Sequence, residues 1–154
     1  MFNNLLVHNE SSQSKYTYAD KYTKTIRPNK YYYFKYHVKV INDPLDFLPK
    51  KLKIVLDNNS LQLKKKKKVY LHIPYPEISR WYLLENSNTW AFLLHESSPL
   101  VLISGYDNNM FVFKTQYRFQ CEDLNATIYS LTLYLSHEIQ SKEDKEYREE
   151  LEDT

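Results

Sequence analysis

The residue types that most often carry catalysis are few in this sequence and lie on separate segments. The five histidines are His8, His37, His72, His95 and His137. None of them forms the H-E-x-x-H spacing of a helical zinc site, and no serine lies in a G-x-S-x-G turn. Because no acid, base and nucleophile converge, we expect a protein that is not an enzyme and binds no metal.

Glycine and cysteine each occur only once, and these counts exclude several kinds of cofactor site. Glycine occurs once, at Gly105, whereas phosphate-binding loops need two or three glycines at fixed spacing. Cys121 is the only cysteine, which excludes an internal disulfide and a cysteine zinc cluster. A single thiol is typical of a reducing compartment. We therefore expect no cofactor.

The strongest local charge is a run of five lysines. It consists of Lys64, Lys65, Lys66, Lys67 and Lys68. Clustered ammonium groups suit a phosphoinositide headgroup or another anionic membrane surface, and Lys50, Lys51 and Lys53 would join them if the fold brings that edge near. The alternative is a solvated loop, since charged residues are common in loops.

Charge is distributed unevenly along the chain. Residues 1–77 carry a net charge of +9 and residues 78–154 carry −7, within a total of +2. This pattern predicts a basic surface on one side of the fold, or attraction between the two halves. Tyrosines such as Tyr32 and Tyr36 alternate with lysines and could stack on bases, but a total of +2 argues against nucleic acid as the partner.

Seven segments have the composition or the two-residue alternation of β-strands. They are residues 31–40, 52–56, 61–63, 69–73, 90–95, 100–104 and 110–115. Residues 1–29 are polar and predict an N-terminal arm, with a short edge strand around Tyr16–Ile26. A strand and turn about every ten residues is typical of an antiparallel sandwich or barrel.

One segment has helical periodicity instead. Its apolar stripe consists of Leu124, Ile128, Leu131, Leu135 and Ile139. Glu122 and Asp123 are expected in its first turn, where the helix dipole favours negative charge. Seven strands closed by one C-terminal amphipathic helix predict a mainly β, pleckstrin-homology-like domain with a curled antiparallel sheet, over residues 30–140. Residues 141–154 are predicted to form an acidic, charged helical extension or tail.

Three stretches resemble the third lobe (F3) of FERM domains in talins and in the MyTH4-FERM tails of myosins and kinesins. The most specific stretch is Ile73–Trp81, which reads I-P-Y-P-E-I-S-R-W. The others are Phe47–Leu63 and Phe111–Thr115, which precedes the helix. The likeness covers roughly residues 31–140 and implies a free-standing module of F3 or phosphotyrosine-binding (PTB) type.

The resemblance also implies a place for a partner. In PTB and F3 domains an extended peptide adds as an extra strand beside the C-terminal helix. The corresponding residues here are Trp90, Phe92 and Leu94 on the strand and Ile128 and Leu131 on the helix. The alternative is that these apolar residues all belong to the core.

These observations predict a non-catalytic adaptor or scaffold that binds a protein partner, as part of a cytoskeletal or membrane-associated motor complex. The alternative is a phosphoinositide or anionic-membrane targeting module that uses Lys64–Lys68. The sequence has no apolar run long enough for a membrane span or a signal peptide. We therefore expect a cytoplasmic protein whose peripheral contacts are the membrane or the cytoskeleton.

Overall fold

The computed structural model describes residues 7–8, 23–27, 29–104 and 110–133. The strands are β1 (Val7–His8), β2 (Tyr33–Asn42), β3 (Lys51–Asp57), β4 (Ser60–Lys65), β5 (Lys68–Pro74), β6 (Ile78–Leu83), β7 (Thr89–Leu94) and β8 (Met110–Lys114). A short helix α1 spans Pro99–Ser104, and residues 118–133 form helix α2. A 3-10 turn, Tyr75–Glu77, connects β5 to β6.

All strands lie in one antiparallel sheet in the order β1-β6-β7-β8-β2-β3-β4-β5. Two meanders, β2 to β5 and β6 to β8, are joined because β2 pairs with both β3 and β8. The predicted fold class is confirmed: β2 to β8 form a seven-stranded curled sheet with a C-terminal helix, as in pleckstrin-homology-like domains. The two-residue β1 extends this sheet beyond β6.

The core lies between the inner face of the sheet and α2. Aromatic side chains fill its centre, with the Phe92 ring 4.9 Å from the Phe111 ring and 5.9 Å from the Phe113 ring. Leu124, Ile128 and Leu131 of the predicted helical stripe are buried against the sheet. Residues 134–154, which include Leu135, Ile139 and the predicted tail, lie outside the described residues.

Helix α2 begins earlier than the charge pattern indicates. The Tyr117 N–H donates to Gln120 Oε1 at 2.9 Å, which is one half of a capping box, in which a side chain in the first turn reaches back to the residue before the helix. The helix starts at residue 118, and Glu122 and Asp123 lie in its second turn rather than its first.

The predicted strand at residues 100–104 is wrong, because Pro99–Ser104 forms helix α1. Ser98 precedes this helix and Pro99 opens it, and serine before a helix with proline at its first position is a helix-start signal. Conversely, Ile78–Leu83 forms β6, which strand periodicity had not indicated. A register shift between Ile78 and Arg80 breaks the alternation in this strand.

Part of the N-terminal arm runs beside α2. Residues 23–27 form no strand; instead, the Lys24 N–H donates to Ser130 Oγ at 3.2 Å, and Lys24 Nζ lies 2.7 Å from Asp123 Oδ1. The rest of the predicted edge strand, residues 16–22, lies outside the described residues. The described part of the arm is therefore attached to the domain.

Candidate functional site

The residues predicted to line a peptide groove are placed in the core. Trp90, Phe92 and Leu94 lie on β7 and are 0%, 0% and 3% exposed. Both edges of β7 are paired, with β6 on one side and β8 on the other, so β7 has no edge for an added strand. Ile128 and Leu131 are likewise buried.

The next strand along the sheet is β6, and its outer edge is paired with β1 at only two of its residues, Tyr82 and Leu83. β1 pairs there in antiparallel fashion, with Val7 opposite Leu83 and with residue 8 opposite residue 82. The Leu84 N–H donates to Thr89 O, towards β7. Because N–H directions alternate along an antiparallel strand, the N–H groups of Leu83 and Trp81 point to the other edge.

Trp81 of β6 has a partly exposed side chain whose indole N–H makes no hydrogen bond with a described residue. Its side chain packs against the core and is partly buried. Its indole N–H is buried and finds no acceptor in the part of the chain that the structure describes. A buried donor without an acceptor is costly, by about 1–3 kcal/mol. The β6 edge, which we define as Ile78–Leu83, thus carries main-chain donors, and Trp81 adds a buried indole N–H without an acceptor among the described residues.

The lysine run forms a hairpin. Lys64 and Lys65 end β4, a two-residue turn follows, and Lys68 begins β5 opposite Lys65. Lys66 in the turn has a φ of 56°, a region that disfavours residues with a Cβ. Two lysines lie over tyrosine rings, at 5.7 Å for Lys64 with Tyr33 and 4.5 Å for Lys68 with Tyr70.

Strand register places further lysines side by side on the outer face of the sheet. Lys39 of β2 lies opposite Lys51 of β3 and also opposite Lys114 of β8. In the next row, Lys53 lies opposite Lys64. Like charges directly opposite each other destabilise a sheet, so this arrangement is unfavourable for the isolated fold.

These rows border a groove of about 560 Å³. We call it the lysine groove. It is lined by seven lysines, namely Lys39, Lys51, Lys53, Lys64, Lys65, Lys66 and Lys114, together with His37, Val38, Leu52, Asn88, Thr115 and Gln116. None of these lining residues is acidic, and none is phenylalanine, tyrosine or tryptophan.

The lysines that line the groove are only partly those that were named from the sequence. Lys51 and Lys53 do lie beside the hairpin, whereas Lys50, Lys67 and Lys68 do not line the groove. The sequence did not indicate Lys39 and Lys114, because residues so far apart become neighbours only through the pairing of β2 with β8. Two-residue alternation on β2 was the one available signal for the face on which Lys39 lies.

Buried ionisable groups elsewhere have perturbed pKa values. Burial raises the pKa of the Cys121 thiol to about 12, which makes the reactive thiolate rare at neutral pH. Burial also raises the pKa of the Tyr36 and Tyr75 hydroxyls above the ordinary value. No group of three or more histidine, cysteine, aspartate or glutamate side chains in the described ranges could hold a metal ion.

Within residues 7–8, 23–27, 29–104 and 110–133, no helix is both long enough and apolar enough to span a bilayer.

Comparison with known proteins shows a likeness to solved structures but not to a known family or a curated protein. No protein-family profile matches the chain, and no curated protein matches it by sequence. A matching solved structure is the solution structure of the C-terminal phosphotyrosine interaction domain of mouse APBB2. The identity is 12% and the TM-score 0.39, over 66% of this chain and 93% of that chain. The strand order described above, rather than this likeness, assigns the pleckstrin-homology-like fold.

Proposed function

We propose that this chain is a non-catalytic protein-interaction module that binds an extended segment of a partner at the β6 edge. The observation that carries this proposal is the pairing of β1 with β6, in which a segment distant in sequence already adds to that strand. Main-chain hydrogen bonds supply affinity in such additions, and alternate side chains supply specificity.

Trp81 supports the same edge. Its indole N–H lacks an acceptor among the described residues, and an extended partner segment offers main-chain carbonyl groups as acceptors. Forming that bond would remove the cost of a buried, unpaired donor. Trp81 then contributes both apolar contact area and a directional hydrogen bond to the partner.

The F3 resemblance supports a wider role. Its most specific stretch, Ile73–Trp81, runs from the end of β5 through the 3-10 turn into β6. The stretch that resembles F3 lobes therefore overlaps the edge proposed to bind the partner at residues 78–81. On this resemblance we propose that the module acts as an F3-like or PTB-like adaptor in a cytoskeletal or membrane-associated motor complex.

A second function is attachment to anionic membrane surfaces through Lys64–Lys68, which would make the protein peripheral at the membrane. The hairpin form supports it, because a two-residue turn presents several lysines at one exposed tip. Each lysine near an anionic surface contributes about 1 kcal/mol.

NMR with selected peptides tests the protein-binding function. Peptides would be selected from a random library on the immobilised full chain and then titrated into ¹⁵N-labelled protein. We expect the main-chain amide signals of Ile78–Leu83 to shift. The chain has two tryptophans, so the spectrum holds two indole signals, and we expect the Trp81 signal to move.

The second tryptophan is the control. The Trp90 indole N–H is buried and donates to Asn125 Oδ1 at 3.1 Å, so its signal should stay in place. Trp81→Phe retains an aromatic ring but removes the donor, and it should weaken peptide binding several-fold. Shifts confined to other surfaces, or equal affinity for the variant, would remove the β6 edge from consideration.

Vesicle sedimentation tests the membrane function. We expect the chain to sediment with vesicles that contain phosphatidylserine and to stay in solution with neutral phosphatidylcholine vesicles. Replacing all five residues of the run by serine should abolish sedimentation. If the native chain stays in solution with both kinds of vesicle, the membrane function is wrong.

A further inference from the structure

We propose that strand β1 of the N-terminal arm is a built-in competitor for the β6 edge, so that a partner segment binds only when β1 has left that edge. This inference rests on the protein-binding function proposed above and adds a regulation of the same site. It is carried by two described contacts of the arm, that of Val7–His8 with the sheet and that of residues 23–27 with α2.

β1 uses main-chain groups that an added strand would also need. The Leu84 N–H donates to Thr89 O of β7, so the N–H and C=O groups of Leu83 point to the other side, towards β1. Val7 lies opposite Leu83, and residues opposite each other at such a position exchange both of their hydrogen bonds. β1 and a partner segment that extends over Leu83 therefore cannot occupy the edge together.

The contact of β1 with β6 is short enough to be displaced. Among the described residues it covers only Tyr82 and Leu83 of β6. Because hydrogen-bonded and non-hydrogen-bonded pairs alternate along an antiparallel ladder, only the pair of Val7 with Leu83 is hydrogen-bonded. One such pair is a weak contact, since each bond replaces a bond made with water. A partner segment that pairs along all of Ile78–Leu83 forms a longer ladder and displaces β1.

A second contact of the arm keeps β1 close to the edge. The Lys24 N–H donates to Ser130 Oγ at 3.2 Å, and Lys24 Nζ lies 2.7 Å from Asp123 Oδ1. Residues 9–22 connect β1 to this anchor, and a connection of this length gives the linked strand an effective concentration in roughly the millimolar range. A contact too weak to hold two separate molecules together is therefore populated within one chain.

Amide hydrogen exchange of the ¹⁵N-labelled full chain tests whether β1 occupies the edge. Val7→Pro removes the N–H that faces Leu83. The matched control is His8→Pro, because the N–H of residue 8 points away from β6, and an edge strand tolerates proline at such a position. We expect the Leu83 amide to exchange about 5-fold faster in Val7→Pro, which corresponds to about 1 kcal/mol. The Tyr82 amide, which faces β7, should keep its native exchange rate in both variants.

The affinity of a peptide for the three proteins tests the competition. The probe is a library-selected peptide that shifts the amide signals of Ile78–Leu83. Val7→Pro should bind it about 5-fold more tightly than the native chain does, because apparent affinity is reduced by the fraction of chains whose site is occupied. His8→Pro should bind it as the native chain does. The gain in affinity should equal the gain in exchange rate at Leu83, because both measure how often β1 leaves the edge.

The two measurements distinguish failure of this inference from failure of the proposed function. Equal exchange of the Leu83 amide in the native chain and in Val7→Pro would show that β1 does not occupy the edge. Faster exchange with unchanged peptide affinity would overturn the competition and leave the protein-binding function in place. If selected peptides shift only other surfaces, the protein-binding function fails, and the competition fails with it whatever the exchange rate at Leu83.

Discussion

The Tyr36 hydroxyl connects the sheet to α2. It lies 2.6 Å from Asp123 Oδ2 and 2.8 Å from Thr127 Oγ1, and the other oxygen of Asp123 pairs with Lys24 Nζ. The Asp123 carboxylate of α2 thus connects the helix to both β2 and the N-terminal arm. Hydrogen bonds to a charged partner contribute more than neutral ones, about 1.5–3 kcal/mol.

Tyr36→Phe should therefore lower the free energy of unfolding by about 1–3 kcal/mol, because it keeps the buried ring and removes its hydroxyl. Urea denaturation of both proteins measures the difference. The control is Tyr33→Phe, since Tyr33 is exposed and its hydroxyl accepts a hydrogen bond of 3.3 Å from Lys64 Nζ at the surface. Equal effects of the two substitutions would show that the Asp123 contact does not stabilise the fold.

Lys66 carries backbone strain that a different residue would relieve. Its φ of 56° is left-handed, and asparagine tolerates this region better than lysine. Lys66→Asn should raise the free energy of unfolding by about 1 kcal/mol. Lys67→Asn removes the same charge from the same turn without a positive φ and controls for the loss of repulsion. A larger gain from Lys67→Asn would contradict this explanation.

At the scale of elements, α1 depends on Ser98. Its Oγ donates to Glu77 Oε1 at 2.9 Å and accepts the Leu100 N–H of the first turn at 3.4 Å. Ser98→Ala should lower the free energy of unfolding by about 1 kcal/mol, as expected for loss of a residue that caps a helix. Ser97→Ala, at the exposed neighbouring position, should have almost no effect. Chemical denaturation of both variants checks the difference.

The elements that the sequence predicted correctly are those with an uninterrupted period. The stripe Leu124, Ile128 and Leu131 identified α2, and alternation identified β2. α1 was misread because Leu100–Ile103 is a short apolar run, and such a run fits a strand as well as a helix. β6 was missed because its register shift interrupts the alternation.

At the scale of the molecule, the candidate sites depend on pairings that no local pattern contains. The hairpin lysines were visible as a run, and Lys51 and Lys53 were expected nearby. The contact of Lys39 with Lys114 requires knowledge that β8 returns to β2. In the same way, the F3 resemblance at Ile73–Trp81 contains no signal for strand order, and only the sheet topology shows that β6 has β7 on one side and just the two residues of β1 on the other.

The free energy of unfolding should fall in alkaline solution, because the buried side chains of Cys121, Tyr36 and Tyr75 resist deprotonation in the folded state. The raised pKa values of Cys121, Tyr36 and Tyr75 mean that the folded state keeps protons that the unfolded state releases above about pH 9 for cysteine and pH 10 for tyrosine. Their stabilising contribution is thus complete below pH 9 and declines as pH rises, by up to about 1.4 kcal/mol per pH unit for each group. Urea denaturation between pH 7 and pH 11 measures this slope.

Cys121→Ala isolates one of the three contributions. The variant should lack the decline that begins near pH 9 and keep the decline that begins near pH 10, because the two tyrosines remain. If the variant and the native chain lose stability in parallel from pH 9 upward, the buried thiol is not the cause.

The double pairing of β2 also bears on how the chain reaches its folded state. The partners Lys39 and Lys114 are about 75 positions apart, whereas β2 to β5 form successive hairpins from neighbouring segments. Contacts between distant segments form slowly because long loops must close first. We therefore expect β2 and β8 to join late in folding. The row formed by Lys51, Lys39 and Lys114 would then be assembled only in completely folded chains.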